Sequence, residues 1–552
     1  MPLSPAVRRV LTVHGPAAFC GVLAGAAAVA ASEFAAAFVR RESAPLVTVG
    51  QSVIDRTPRG LKEYAIREFG TNDKLVLQLS VGVLLLLFSA LLGVVARRWL
   101  WAGLAGVGLL GVLIVAAAVS RPADKGTDII PALVAAAVGA ATLTVLTRPE
   151  LVRGEPPEAY DDLVTRLGAS GATAAAATPG PAEAPATATA TAHPADLAEP
   201  SRRTLVLGTA GAAALLAGIG RWLQDIRFDV SGSRDAVVLP APAAPAPAQP
   251  LGTELGIPGL SPHMTPTKDF YRVDTALVVP EIRAEDWKLR IHGMVDREIE
   301  IDFATLSARP TIERHITLCC VSNDVGGPYI GTAKWLGVPL ADLLREAGVR
   351  PDADQLISRS SDGMTIGTPT AVVMDGRDAM LAIGMNGEPL PIKHGFPVRM
   401  VVPGLYGYVS ACKWIVEIEA TRFADYDAYW VPRGWAAQGP VKTQSRIDTP
   451  KNMSKVPRGR IPVAGVAWAQ HKGIAAVEVQ IDDEPWQTAE LAAEDSLDTW
   501  RQFVWYWDVP RPGPHRIRVR ATDKTGEVQT EKEAGVAPDG ATGWHTLSLT
   551  VT

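Results

Sequence analysis

The sequence predicts a protein in two parts: a membrane region of five helices, then a soluble part made of an α+β domain and a β-sandwich. Three observations carry this. Mean hydropathy is positive, +0.13, although 20% of the residues are charged, so the apolar excess must be concentrated. It lies in the first 220 of 552 residues, which are rich in Ala, Leu, Val and Gly. Beyond about Leu251 short strand patterns mix with short helices, and after Val441 strand patterns recur alone at regular spacing.

Five segments are long and apolar enough to cross a membrane: Pro16 to Val39, Leu75 to Ala96, Trp99 to Val119, Ile129 to Thr147, and Thr204 to Gly220. Arginine pairs bracket several of them, as at Arg8 and Arg9, Arg40 and Arg41, and Arg97 and Arg98. Four such runs within the first 150 residues leave too little polar surface for a soluble domain. Glu33 falls inside the first span, where an acid needs a polar partner and marks a functional candidate; its place near the span's end equally allows snorkelling to the interface. Between the first two spans, RGLKEYAIREFG sets Leu61, Tyr64, Ala65, Ile66 and Phe69 at helical spacing, which predicts a short helix lying at the interface.

Loop cations divide evenly between the two sides, so the positive-inside rule does not orient the bundle. A local feature does. Ser201-Arg202-Arg203-Thr204-Leu205-Val206, followed by a mild Ala/Gly-rich run and Arg221, resembles an internal twin-arginine export signal; an arginine pair before a span also serves as an ordinary inside anchor. Either reading puts the N-terminus and residues 148–203 in the cytoplasm and everything after 221 outside the cell membrane. Residues 151–203 read as a disordered linker, because SGATAAAATPGPAEAPATATATAHPADLAEP within them is low-complexity Ala, Thr and Pro with nothing to bury. A second linker over 221–250 contains LPAPAAPAPAQP, an extended polyproline-like spacer.

Residues 251–439 mix strands (WKLRIHGMV, FPVRMVVPG, KWIVEIEA) with short helices such as LADLLREAG, the α+β pattern. Residues 440–552 carry RIPVAGVAWAQ, AAVEVQIDD, TWRQFVWYWDV, HRIRVRATD and WHTLSLTVT between turns, a β-sandwich of immunoglobulin-like size. Net charge is only −5 and no long basic run is present, which argues against nucleic acid as a partner. The four cysteines offer no CxxC, no CxxCH and no zinc spacing. Two of them, Cys319 and Cys320, are neighbours where a strand pattern runs into a turn. That is where a backbone presents a thiolate to a metal or substrate, although both also read as small buried hydrophobes.

The segments around Cys320, Asp362 and His394, followed by the sandwich, resemble the sulfite oxidase family of molybdopterin enzymes over roughly residues 251–535. Thr317-Leu318-Cys319-Cys320-Val321-Ser322-Asn323 is similar to the family's Thr-Leu-x-Cys-x-Gly-Asn run, with Ser for Gly. That register implies that Cys320 is the single protein ligand to molybdenum, with Cys319 a neighbour. The strongest likeness is MNGEPLPIKHGFPVRMVVPGLYGYVSACKW, Met385 to Trp414, which implies that His394, Arg399 and Lys413 hold the pyranopterin phosphate and ring. Asp362, in SSDGMTIG, matches an acid that contacts the pterin. Arg272, in DFYRVDTAL, falls on the Arg of an F-x-R-N-H segment, which implies contact with the cofactor or an anionic substrate. Trp335 stands where relatives line the pocket with an aromatic, and equally reads as a core tryptophan. The resemblance also implies dimerisation through the sandwich.

The residue types suit this chemistry independently. A soft thiolate binds a sulfur-ligated metal well, and a phosphate calls for the fork of Arg and the point charge of Lys. Taken singly, Arg399 and Lys413 read as exposed strand charges and His394 as a satisfied loop histidine; in order and in register they read as one site. There are departures. Ile383 occupies the position of a family tyrosine, and Val273 and Asp274 replace the Asn and His of F-x-R-N-H. Losing a phenol removes a proton donor, so sulfite oxidation and sulfoxide reduction both stay open.

The resulting expectation is a membrane-tethered oxidoreductase carrying molybdenum and one pyranopterin, with no haem. It passes an oxygen atom to or from a small substrate and draws on a separate cytochrome or quinone-linked electron partner. The alternative is a catalytically inactive, membrane-anchored binding or structural protein on the same fold.

Overall fold

The computed structural model describes residues 5–58, 60–61, 68–69, 73–121, 125–148, 202–509 and 511–552. They form two compact units, Met1–Phe228 and Asp229–Thr552. Most of the expected interfacial helix, and the linker over 151–201, lie outside the described residues.

The first unit consists of α1 (Pro5–Ala36), α2 (Pro45–Arg56), α3 (Asp73–Arg98), α4 (Leu100–Val119), α5 (Ile130–Thr147) and α6 (Arg202–Phe228). Five of these, all except α2, are long and apolar enough to cross a membrane. They fall on the hydropathy segments, except that α1 begins about three turns before Pro16 and α6 continues about two turns past Gly220. α1 packs on α3, α5 and α6. Gly21 of α1 and Gly93 of α3 lie so close that a side chain on either would strike the partner's backbone. Such small residues let helices meet where lipid offers no hydrophobic drive to associate. Leu84, Leu87 and Val112 stay exposed, an outer surface suited to lipid. Charges at the helix ends are paired: Arg40 Nε donates to the buried Asp128 at 2.7 Å, and Arg41 to Asp225 at 2.9 Å.

The second unit contains four sheets. One runs β2 (Ile299–Asp302), β1 (Lys288–Gly293), β10 (Ile415–Thr421), β5 (Gln355–Ser360), β6 (Thr365–Pro369), with β1 and β10 parallel. Another runs β3 (Ile312–Cys319), β4 (Ile330–Pro339), β7 (Met380–Met385), β8 (Glu388–Pro389), and β9 (Arg399–Val401) pairs with β7. These strands and α7 (Leu340–Ala347) enclose one apolar core that includes Leu289, Leu343, Leu356, Leu381 and Ile418. β7 is buried along its whole length, so its sequence is apolar throughout instead of alternating. This is why MLAIGM carries no helix or half-buried-strand signature.

The remaining sheets are β11 (Gln444–Thr449), β13 (Arg460–Trp468), β17 (Arg501–Asp508), β16 (Glu490–Leu491), and β12 (Lys455–Val456), β19 (His545–Val551), β18 (Gly513–Asp523), β14 (Ile474–Ile481), β15 (Gln487–Thr488). Both contribute to one core that includes Val463, Val479, Phe503, Ile517 and Leu549. β14, β18 and β19 alternate buried and exposed residues, as strands with one solvated face do. The Leu239–Pro250 segment is extended and docks on the edge of β3. The amides of Ala243 and Ala244 donate to Thr311 O at 2.9 and 3.1 Å, and Glu313 N donates to Ala244 O at 2.9 Å.

Candidate cofactor site

β3 ends at Cys319 and Cys320 opens the turn that returns the chain to β4. Successive residues leave an extended backbone on opposite sides, and the two thiols separate accordingly. Cys319 is buried among Ile330, Tyr406, Val466, Trp468 and Trp500. The amide of Cys320 donates to Tyr329 O at 3.0 Å. Burial pushes its thiol up, against the opposing pull of Ser322 and the Lys413 charge. It is therefore held as a protonated thiol, which coordination to a metal would deprotonate.

Facing it is a cluster built around Gly395. A Cβ there would meet Cβ of Arg399 at 3.0 Å and Cβ of Lys413 at 3.2 Å, so a bare residue keeps a cradle open where His394, Arg399 and Lys413 meet. Arg399 is buried on β9. Its Nη1 donates to His394 O at 3.1 Å, its guanidinium lies 4.9 Å over the Trp335 ring, and its Nε has no hydrogen-bond partner. His394 is 1% exposed, packs edge-on against Phe270 at 5.8 Å, and leaves Nε2 without a partner. Burial, reinforced by Arg399 and Lys413, lowers its pKa to about 3, so the ring is neutral. Burial likewise lowers Arg399 to about 10 and Lys413 to about 8, the latter against the pull of Asp274.

Asp274 ties the remaining cations together. Arg272 Nε and Nη2 donate to its two oxygens at 2.6 and 3.3 Å, and Lys413 Nζ donates to Oδ2 at 2.9 Å. Two cations thus share one nearly buried carboxylate, beside two buried nitrogens that lack partners, one of them on the third cation, Arg399. A buried unsatisfied donor costs about 1–3 kcal/mol, and a surplus of positive charge repels itself. Both are relieved by an anionic ligand that accepts and donates hydrogen bonds, so these residues fit a pterin phosphate and ring.

The structure brings Cys320, Arg272, His394, Arg399 and Lys413 into one electrostatic neighbourhood. Asp362 stands at its margin. Its carboxylate accepts from Met364 N at 3.2 Å, its charge bears on Cys412, and Ser361 N donates to Trp414 O at 2.9 Å beside Lys413. Trp335 is a core tryptophan: it is fully buried, with Nε1 donating to Ile316 O at 3.2 Å, and its ring face carries Arg399. Ile383 packs into the apolar core.

Three features of the site escape sequence reasoning. Asp274 reads in sequence only as a departure, and its role as counter-ion depends on Lys413, 139 positions away. Ser360 and Ser361 hold buried hydroxyls without partners, and the SSDG run that points to Asp362 is their signal. Tyr271 is a phenol kept protonated by burial and by the nearby cysteines.

The family model for the oxidoreductase molybdopterin binding domain matches residues 276–430, a span that holds Cys320, Asp362, His394, Arg399 and Lys413 and begins just after Asp274. Mitochondrial sulfite oxidase of Drosophila melanogaster is 29% identical over 345 residues, 52% of this chain and 59% of the relative. The uncharacterized oxidoreductase YuiH of Bacillus subtilis is 32% identical over 153 residues, 28% of this chain and 74% of the relative. Among solved structures, the sulfane dehydrogenase SoxCD from Paracoccus pantotrophus is 25% identical, covers 51% of this chain and 80% of its own, and has a TM-score of 0.45. The chain spans 58–59% of the length of the sulfite oxidases of Drosophila and Rattus norvegicus.

Proposed function

Since the chain belongs to the sulfite oxidase family of molybdopterin-binding oxidoreductases, we propose that it is a membrane-tethered enzyme transferring an oxygen atom on a small substrate outside the cytoplasmic membrane. The observation that carries this reading is the cluster of buried Arg399 and His394 with Lys413 and the more exposed Arg272 beside Cys320, with His394 Nε2 and Arg399 Nε unpaired. When bound, the molybdenum cofactor supplies the two-electron chemistry and the oxygen transfer.

The protein's residues do the rest. Cys320 is the metal ligand. Arg399, pinned on Trp335, and Lys413 hold the phosphate, and neutral His394 offers Nε2 to the pterin. Asp362 and its two serines close the pterin side. Asp274 positions Lys413 and keeps Arg272 occupied, and Tyr271 holds a proton near Cys320. With Arg272 already satisfied and an isoleucine at position 383, the site favours reduction of a neutral sulfoxide over oxidation of anionic sulfite. Electrons come from a cytochrome or quinone-linked partner. Residues 440–552 act as an immunoglobulin-like dimerisation domain, and Arg202 and Arg203 direct export, so that replacing both by Lys leaves the second unit in the cytoplasm.

The deciding experiment is elemental analysis of protein purified from the membranes of molybdate-fed cells. About one molybdenum and one pterin per chain is expected. Neither metal nor pterin in a folded chain overturns the reading.

A further inference from the structure

The helical unit forms a partly open cavity of about 570 Å³. On α1 its lining runs from Gly21 to Glu33, a rise of about 18 Å at 1.5 Å per residue. α2 to α6 supply the other walls, with Leu46, Gly82, Leu110, Ala136 and Ala214 among the lining residues. The walls are almost wholly apolar, Ser32 and Ser89 apart, and the one ionisable group among the lining residues is at one end. There Gln224 of α6 donates from Nε2 to Glu33 Oε2 at 3.1 Å and to Glu33 O at 2.8 Å. α6 comes this close because Gly220 has no side chain: a Cβ there would meet Phe34 at 2.9 Å. The result is an elongated apolar slot with a carboxyl group fixed at one end, inside helices apolar enough to span a bilayer. An acid in such a place is costly and points to function.

We propose that this cavity binds the ring and first isoprene units of a membrane quinone or quinol, with Glu33 hydrogen-bonded to a ring oxygen. The shape accepts a planar head and a linear apolar tail. A phospholipid would bring a phosphate, which a carboxylate repels, whereas a quinol hydroxyl donates to a carboxylate and a quinone carbonyl accepts from a protonated one. A quinone is also a two-electron carrier that dissolves in the bilayer, which is what a two-electron oxidoreductase anchored there requires. This redox use rests on the proposed function; the binding itself does not.

The test uses the full chain in lipid nanodiscs, titrated with decylubiquinone and with a short-chain menaquinone, and with molybdenum measured on the same samples. Saturable binding of about one quinone per chain is expected. Gly82→Leu adds bulk where a Cβ meets nothing within 4 Å, and should weaken binding about tenfold or more, as filling an apolar pocket does. Glu33→Gln, nearly isosteric, should weaken it several-fold with unchanged helix content. Absent saturable binding, variants that bind like the wild type, or a co-purifying phospholipid that quinone does not displace each overturn the proposal. Quinone binding to a chain that carries no molybdenum upholds this site and overturns the molybdenum reading alone.

Discussion

Two buried clusters of the second unit use the same residue types to opposite ends. In one, Asp495 is 2% exposed and accepts from His263 Nε2 at 2.9 Å and from His315 Nδ1 at 2.8 Å. Both histidines meet the same oxygen, Oδ2, and the cluster ties β3 to the loop before β17 and to the segment preceding Phe270. In the other, around Gly395, one carboxylate serves Arg272 and Lys413, Arg399 has no carboxylate of its own, and two nitrogens are unpaired. The first sets one carboxylate against two imidazoles, and the second sets one carboxylate among a surplus of cations. Burying ionic groups is tolerated when they are mutually satisfied. A buried imbalance is tolerated when a ligand completes it, so the imbalance marks the site.

The largest effect expected of this contrast is at the metal ligand. Cys320→Ala should lower activity by about 1,000-fold or more, beyond the 10–100-fold that changes around a ligand cost. Cys319→Ala, in the apolar cluster, should cost little. The opposite ranking in a steady-state assay would mean that Cys319 is the ligand.

Next come the two clusters compared directly. Arg399→Ala removes a charge-assisted contact of about 1.5–3 kcal/mol, and so should weaken pterin retention by about 10–100-fold, read as pterin fluorescence per chain. Asp495→Asn should retain the pterin and lower unfolding stability by about 2–3 kcal/mol, because two buried histidines exchange a carboxylate acceptor for a neutral amide oxygen and lose charge-assisted bonds. If Asp495→Asn strips the pterin from a chain of unchanged stability, the two clusters are not separate in function.

A smaller effect follows from pH. Burial opposes ionisation of Asp495, but its histidine hydrogen bonds outweigh burial and hold its pKa at about 2, below the usual 3.8. A depressed carboxylate contributes stability that is complete above the unfolded value and lost as pH falls through the folded one. The stability gap between wild type and Asp495→Asn should therefore be full above about pH 4 and close towards pH 2 in acid titrations followed by tryptophan fluorescence.

The smallest effect is at the junction of the contrast. Asp274→Asn frees Arg272 and Lys413 of their counter-ion, and should raise sulfate affinity several-fold at low salt, less so at high salt, as measured by calorimetry. Unchanged sulfate affinity would remove Asp274 from the determinants of substrate charge.

Much of this architecture is legible in the amino-acid sequence. Five membrane-length helices follow from runs of apolar residues, because length and hydropathy are local properties. The family follows from motif order, in TLCCVSN and in HGFPVR to KW. Other features have no local signal. LPAPAAPAPAQP reads as a spacer, yet its carbonyls and amides lie along β3. Asp495 carries no motif, and its partners lie 232 and 180 positions earlier. Asp274 looks like a lost histidine until Lys413 is seen beside it.

The sequence by itself determined which segments are apolar, which strands alternate, and which thiol, imidazole and cations stand in an order that suits a metal and a phosphate, since each depends on residue type and short spacing. Tertiary structure alone decided which charges find partners. It paired Asp495 with two histidines, shared Asp274 between Arg272 and Lys413, laid Arg399 on Trp335, and left His394 Nε2 and Arg399 Nε open. Electrostatic and hydrogen-bond energies depend on distances of a few ångströms between residues far apart in the chain, and only folding sets those distances.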